Sequence, residues 1–275
     1  MFQLERKRFR SLRGDIAYWI YKNPNPSAHW IFFLHGLTAD HTLFDLQVPF
    51  FTGQYNVIVW DAPAHALSRP YHDFSYANCA DDLCGLLLSE GIHEAILVGQ
   101  SMGGFIIQAF LLRYPEMAQA FVAIDTCPFG RQYYSKSDLL WLRQVGWMSR
   151  LYPHQYLIDT VAKSVAVTKR TQDNMQKALS FYSHRELCDL MGTGYRCFVQ
   201  ENQDLHITCP VLILVGESDK TGKVIAYCKA WHIVTGYPLQ IIQNAAHNAN
   251  YDNPDTVNTL IDAFVHMFTT DAQKT

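Results

Sequence analysis

Charge is scarce in this sequence: 17% of its 275 residues are Asp, Glu, Lys or Arg, below the roughly 25% common in soluble domains. That shortfall argues against disorder, a coiled coil or a nucleic-acid-binding arm. The formal net charge of −3 gives no reason to expect an anionic polymer as partner. Long hydrophobic runs are missing as well. Unbroken apolar stretches are short, such as Trp30-Ile31-Phe32-Phe33-Leu34, and none approaches the ~18 residues of a membrane span. The start, Met1-Phe2-Gln3-Leu4-Glu5-Arg6-Lys7-Arg8, reaches Gly14-Asp15 without the apolar stretch of a secretory leader. The seven cysteines, at 79, 84, 127, 188, 197, 209 and 228, are odd in number and form no C-x-x-C pair. Reduced, mostly buried thiols in a cytoplasmic enzyme fit that pattern better than a disulfide framework or a zinc site.

Apolar residues are abundant, at 49%, enough for one large core or a core with a lid of its own. Phe2 to Arg10 and Asp15 to Tyr21 read as a hairpin around an Arg13-Gly14-Asp15 turn. From Trp30 onward the texture changes. The apolar runs Trp30–Leu34, Val57–Trp60, Ala95–Val98, Phe121–Ile124 and Val211–Val215, with a weaker one at Leu239–Ile242, show no polar alternation. Strands look like this when helices cover both faces of a sheet. Helical periodicity fills the gaps, as at Tyr76, Cys79, Ala80, Leu83, Leu86 and Leu87, and at Val257, Leu260, Ile261, Phe264, Val265 and Phe268 after a Pro254-Asp255 start. The predicted fold class is therefore α/β: a doubly wound, mostly parallel sheet led by an antiparallel hairpin.

The alternation lapses between about 128 and 208, where the pattern is helical, as at Met175, Ala178, Leu179 and Tyr182. Because this stretch lies between two core strands, it reads as an inserted helical cap. The predicted organisation is a core in two parts, 1–127 and 209–275, with the cap at 128–208. The cap holds eleven aromatics, no more than the chain's average share, so composition alone does not announce an aromatic pocket. It holds ten Lys and Arg against seven Asp and Glu. That balance fits solvated helix faces better than a subsite for carboxylates.

Open parallel sheets bind ligands beyond the carboxyl ends of their strands. There, Gly99-Gln100-Ser101-Met102-Gly103 forms G-x-S-x-G between an apolar strand and an apolar helix. This is the context of a nucleophile elbow: a sharp turn lifts the serine oxygen clear of the sheet, and the residues two before and two after crowd each other. The N-terminal N–H groups of the following helix favour a developing oxyanion. Of the twelve histidines, His247 alone follows the last strand on a loop of small residues, Asn244 to Ala249, as a general base would.

With these residues the sequence resembles the α/β-hydrolase superfamily over nearly the whole chain outside the cap. His35-Gly36-Leu37 resembles the family's oxyanion loop, and Asp61 to Ser68 its D-x-P-G-H-G-x-S loop. Ala64 and Ala66 replace the two glycines of that loop, so positive φ is not expected at either position. Gly216-Glu217-Ser218-Asp219 resembles the acid turn, which implies Asp219 as the acid of a Ser101, Asp219, His247 triad. Glu217 and Asp125 stand as alternatives, the latter because some lipase relatives carry their acid there. The resemblance implies an oxyanion hole of the Leu37 and Met102 backbone N–H groups and a mechanism without cofactor or metal. A serine nucleophile speaks against the haloalkane dehalogenase and epoxide hydrolase branches. The expected activity is cleavage of a small or medium carboxylic ester, with a small molecule and no nucleic acid as partner. The same triad could instead serve C–C hydrolysis, acyl transfer or elimination on a carboxylate-bearing substrate, and the same scaffold could serve as a small-molecule receptor.

Overall fold

The computed structural model describes residues 3–269. Phe2, where the predicted hairpin begins, and 270–275, the end of the predicted second core part, lie outside them. The hairpin comprises β1 (Glu5–Ser11) and β2 (Gly14–Tyr21), paired antiparallel from Glu5 opposite Ile20 to Ser11 opposite Gly14. Its two-residue turn is therefore Leu12-Arg13, one position earlier than the glycine suggested. Gly14 opens β2 because a Cβ there would lie 2.5 Å from the carbonyl oxygen of Pro70.

The apolar runs form β3 (Trp30–Leu34), β4 (Asn56–Trp60), β5 (Ala95–Gln100), β6 (Ala118–Ile124), β7 (Val211–Gly216) and β8 (Leu239–Ile242). The eight strands make one sheet in the order β1-β2-β4-β3-β5-β6-β7-β8, antiparallel at β1-β2 and β2-β4 and parallel beyond. Helices α1 (Val48–Phe51), α2 (Tyr76–Ser89) and α3 (Met102–Leu111) connect the first strands. Every residue of β4 and β5 is buried, which is why their sequences lack polar alternation. Side chains on one sheet face, Phe32, Ile58, Leu97 and Phe121, pack with α2 and α3; those on the other, Ile31, Phe33, Val59 and Val98, pack with Phe44, Phe51, Val257 and Ile261.

Between β6 and β7 stand a 3-10 turn (Arg131–Tyr133) and five α-helices, α4 (Lys136–Leu142), α5 (Val145–Ser149), α6 (His154–Ser164), α7 (Lys169–Leu179) and α8 (His184–Glu201). Their starts are written in the sequence: Ser135 and Ser183 each form a reciprocal capping box with the third residue onward, Asp138 and Glu186. Helices α5 and α8 cross closely at Gly146 and Gly192, where an added Cβ on Gly146 would lie 2.6 Å from the Gly192 Cα. The chain closes with α9 (Val224–Thr235), α10 (Ala249–Asp252) and α11 (Pro254–Thr269). Helix α9 begins at Val224, two residues after Gly222, which takes a left-handed φ of +56°. Among the described residues no helix is long and apolar enough to cross a membrane.

Candidate active site

Ser101 joins the end of β5 to the start of α3 with φ 48° and ψ −115°, a conformation that L-residues rarely adopt. The surroundings hold it there. Its N–H donates to the Ile124 carbonyl (2.9 Å), and its own carbonyl accepts from Thr126 Oγ1 (2.7 Å). The flanking glycines are sterically required. A Cβ on Gly99 would stand 2.5 Å from the Gly104 nitrogen and 2.7 Å from the Gly103 carbonyl carbon. A Cβ on Gly103 would lie 2.0 Å from the Leu34 carbonyl oxygen, so the tightest contact is with β3 and not across the turn.

Around this serine the structure brings together residues from two other strand ends. His247, on the loop after β8, places Nε2 2.8 Å from Ser101 Oγ. Its Nδ1 lies 2.7 Å from Asp219 Oδ2, on the turn after β7. Asp219 Oδ1 accepts in turn from the Thr221 N–H at 2.8 Å. This network puts the His247 proton on Nδ1 and leaves Nε2 to accept from the serine hydroxyl. Burial alone would lower the His247 pKa, but the charge and hydrogen bond of Asp219, with the charge of Asp125, raise it above the ordinary 6.5.

The alternative acids are engaged elsewhere. Asp125, at the end of β6, is fully buried and accepts from the Gly216 N–H (2.7 Å) and the Ala249 N–H (3.0 Å), tying the ends of β6 and β7 to the start of α10. Burial and the neighbouring Asp219 push its pKa up. Glu217 accepts from the Asn244 N–H. A residue that the sequence did not single out, Gln100, donates from Nε2 to the His247 carbonyl at 2.6 Å and so fixes the histidine loop to the serine turn. Its position inside G-x-S-x-G was the available clue.

His35, Gly36 and Leu37 follow the end of β3. His35 donates from Nδ1 to the Gly36 carbonyl (2.8 Å) and accepts at Nε2 from the Ala62 N–H (2.8 Å), a pairing that requires the neutral ring. Burial holds its pKa down, in keeping with that. Leu37 and Ser101 border the same small cavity, and Met102 opens α3. Among the described residues, neither the Leu37 nor the Met102 N–H donates to a protein acceptor.

The Asp61–Ser68 loop corrects one expectation. Ala64 has φ 66° and Ala66 φ 38°, so both alanines take the left-handed conformation. The loop's hydrogen bonds override the preference of alanine. Asp61 Oδ2 accepts from the Leu67 N–H (3.0 Å), Ser68 Oγ donates to the Asp61 carbonyl (2.6 Å), and Tyr182, in the turn before α8, accepts the Ala66 N–H (3.1 Å).

Ser101 and His247 form the floor of a cavity of about 460 Å³. Six aromatic rings line it: Phe105 and Tyr227 from the strand–helix core, and Tyr134, Trp141, Tyr195 and Phe198 from the segment between β6 and β7. The aromatic pocket that composition did not announce is thus built from both parts of the chain. Its single lining lysine, Lys223, is ion-paired with Asp138 at 2.7 Å. Among the described residues no cluster of His, Cys, Asp or Glu is arranged to hold a metal ion. A hydroxyl bonded to an imidazole that a carboxylate orients can lose its proton as it attacks an electrophilic carbonyl, and that chemistry uses protein groups alone.

A profile of the alpha/beta hydrolase family matches residues 31–260. The chain is 36% identical over 249 residues to the sn-1-specific diacylglycerol lipase ABHD11 of Mus musculus, covering 86% of this chain and 80% of that protein. It is 23% identical over 249 residues to the 2-(acetamidomethylene)succinate hydrolase of Mesorhizobium japonicum, covering 85% and 86% respectively. Among solved structures, a thermophilic esterase from Thermogutta terrifontis superimposes with a TM-score of 0.75 at 19% identity, over 96% of this chain and 98% of that one. The last likeness is one of fold.

Proposed function

The chain belongs to the alpha/beta hydrolase family, and from that premise we propose that it is a serine hydrolase acting on small or medium carboxylic esters. The observation that carries this reading is the continuous hydrogen-bonded line from Asp219 through His247 to Ser101 on the floor of an apolar cavity. In the proposed reaction, Ser101 Oγ attacks the acyl carbonyl while His247 Nε2 takes its proton. Asp219 holds the Nδ1–H tautomer and stabilises the imidazolium. The N–H groups of Leu37 and Met102 receive the oxyanion, each such donor contributing about 3 kcal/mol to the transition state. His247 then returns the proton to the departing alkoxide, and water releases the acyl group by the same steps reversed.

The cavity wall supports a neutral, apolar substrate over a carboxylate-bearing one, since Lys223 is already neutralised by Asp138. The helices between β6 and β7, taken as a cap, would roof the site and shape its specificity. The test is hydrolysis of p-nitrophenyl acetate, butyrate and octanoate by the parent protein and by Ser101→Ala, with a fluorophosphonate probe on both. Turnover and labelling confined to the parent support the proposal; folded parent protein that is neither labelled nor active would sink it.

A further inference from the structure

Ser101 and His247 border two cavities, and the two differ greatly in size. The aromatic one measures about 460 Å³ and reaches the ends of β6 and β7 and helix α4. The other measures about 70 Å³ and lies toward the β3 loop, closed by Val161 of α6, Val165 just after that helix, Met175 of α7 and Met191 of α8. Tyr195 of α8 borders both, so the ring stands where the two spaces meet at the serine. The larger space is thus more than six times the smaller. The smaller space also borders Leu37, so a carbonyl oxygen at that N–H takes part of it and leaves less for the substituent on that side.

A carbonyl carbon bonded to Ser101 Oγ must send its two substituents, the acyl chain and the alkoxy group, in different directions. With two spaces this unequal, both substituents cannot be bulky. We infer that the substrates are unsymmetrical neutral esters, small on one side of the scissile bond and bulky and apolar on the other. The inference rests on the serine hydrolase reading above and adds a limit which that reading does not contain. The two side chains that set the limit are half-buried Val161 and Met191, which close the small space from the helices above it.

Four esters test it: methyl hexanoate, hexyl acetate, hexyl hexanoate and methyl acetate, with fluorophosphonate labelling of Ser101 run in parallel. One of the two unsymmetrical esters is expected to exceed hexyl hexanoate in kcat/KM by at least about 30-fold, the order expected when several methylenes lose their place. Which of the two wins tells whether the acyl or the alkoxy group takes the aromatic space. Met191→Ala, and independently Val161→Ala, should raise the ratio of hexyl hexanoate to the better unsymmetrical ester by about tenfold. Hexyl hexanoate within about threefold of the best ester, on an enzyme whose Ser101 is labelled, overturns the size limit and leaves the serine hydrolase reading standing. Unlabelled Ser101, or a labelled Ser101 with no ester cleaved, overturns both.

Discussion

His247 Nδ1 and Asp219 Oδ2 lie 2.7 Å apart, with the carboxylate wholly shielded from solvent and the imidazole nearly so. In that setting the carboxylate stabilises the charged ring, so the His247 pKa stands above 6.5 despite its burial. In the proposed reaction His247 is the general base, and a general base works only when neutral. The acid limb of the kcat/KM profile is therefore expected above pH 6.5, with activity falling as pH drops through it. Asp219→Asn removes the charge and leaves an amide that no longer favours the Nδ1–H tautomer. The limb should move to lower pH, and the plateau should fall by about 10⁴-fold. A pH–rate profile of both proteins checks this; an unmoved limb would mean that another group governs it.

The serine turn should tolerate no added methyl. In Gly103→Ala the new Cβ would meet the Leu34 carbonyl oxygen at 2.0 Å, and that oxygen belongs to a central strand that cannot give way cheaply. Loss of more than about 4 kcal/mol of stability, the range of severe core overpacking, is expected in urea unfolding. Gly53→Ala is the control, because its Cβ would stand 3.7 Å from the nearest atom and should cost little.

Much of this architecture was legible because its physics is local. A strand buried on both faces has to be apolar throughout, as Ala95–Val98 is, and a serine lifted off a sheet edge needs glycine on either side. The contact of His247 with Ser101 was legible because a short loop after the last strand can reach back to the serine turn. The aromatic cavity was not legible. Phe105 and Tyr227 meet Tyr134, Trp141, Tyr195 and Phe198 only after the sheet order has brought distant segments together. Counting aromatics along the chain measures the wrong neighbourhood. The φ values of Ala64 and Ala66 were missed for a related reason, since the bonds that enforce them come from Asp61, Ser68 and Tyr182, the last in the turn before α8.

That strain is itself measurable. A left-handed alanine costs about 1–2 kcal/mol relative to an unstrained one, part of which glycine returns as backbone entropy lost on folding. Ala64→Gly should therefore stabilise the protein by about 0.5–1 kcal/mol, read as a higher urea midpoint at unchanged slope. Ala64 is the better site, because at Ala66, which is buried, a lost methyl would offset the gain. A lower midpoint for Ala64→Gly would show that the methyl packs usefully in spite of its φ.

Acid sensitivity of the fold should trace in part to His65. Its ring is fully buried and donates from Nδ1 to the Pro63 carbonyl at 2.9 Å, while Nε2 has no partner among the described residues. Burial, with repulsion from His35, pushes its pKa down to about 3, against 6.5 for an ordinary imidazole. The sign follows from proton counting. Between these two values the unfolded chain holds a proton at this position that the folded chain does not, so the folded state loses ground as pH falls below 6.5. For one proton the slope is about 1.4 kcal/mol per pH unit, which amounts to about 2 kcal/mol from pH 6.5 to pH 5. His65→Phe keeps the buried ring and removes the titration, at the cost of the Nδ1 hydrogen bond, about 1 kcal/mol. The variant should therefore be modestly weaker than the parent at pH 7.5 and close to it, or stronger, at pH 5. Urea unfolding at the two pH values reads the difference directly, and parallel losses in both proteins would show that the folded state accepts the proton after all.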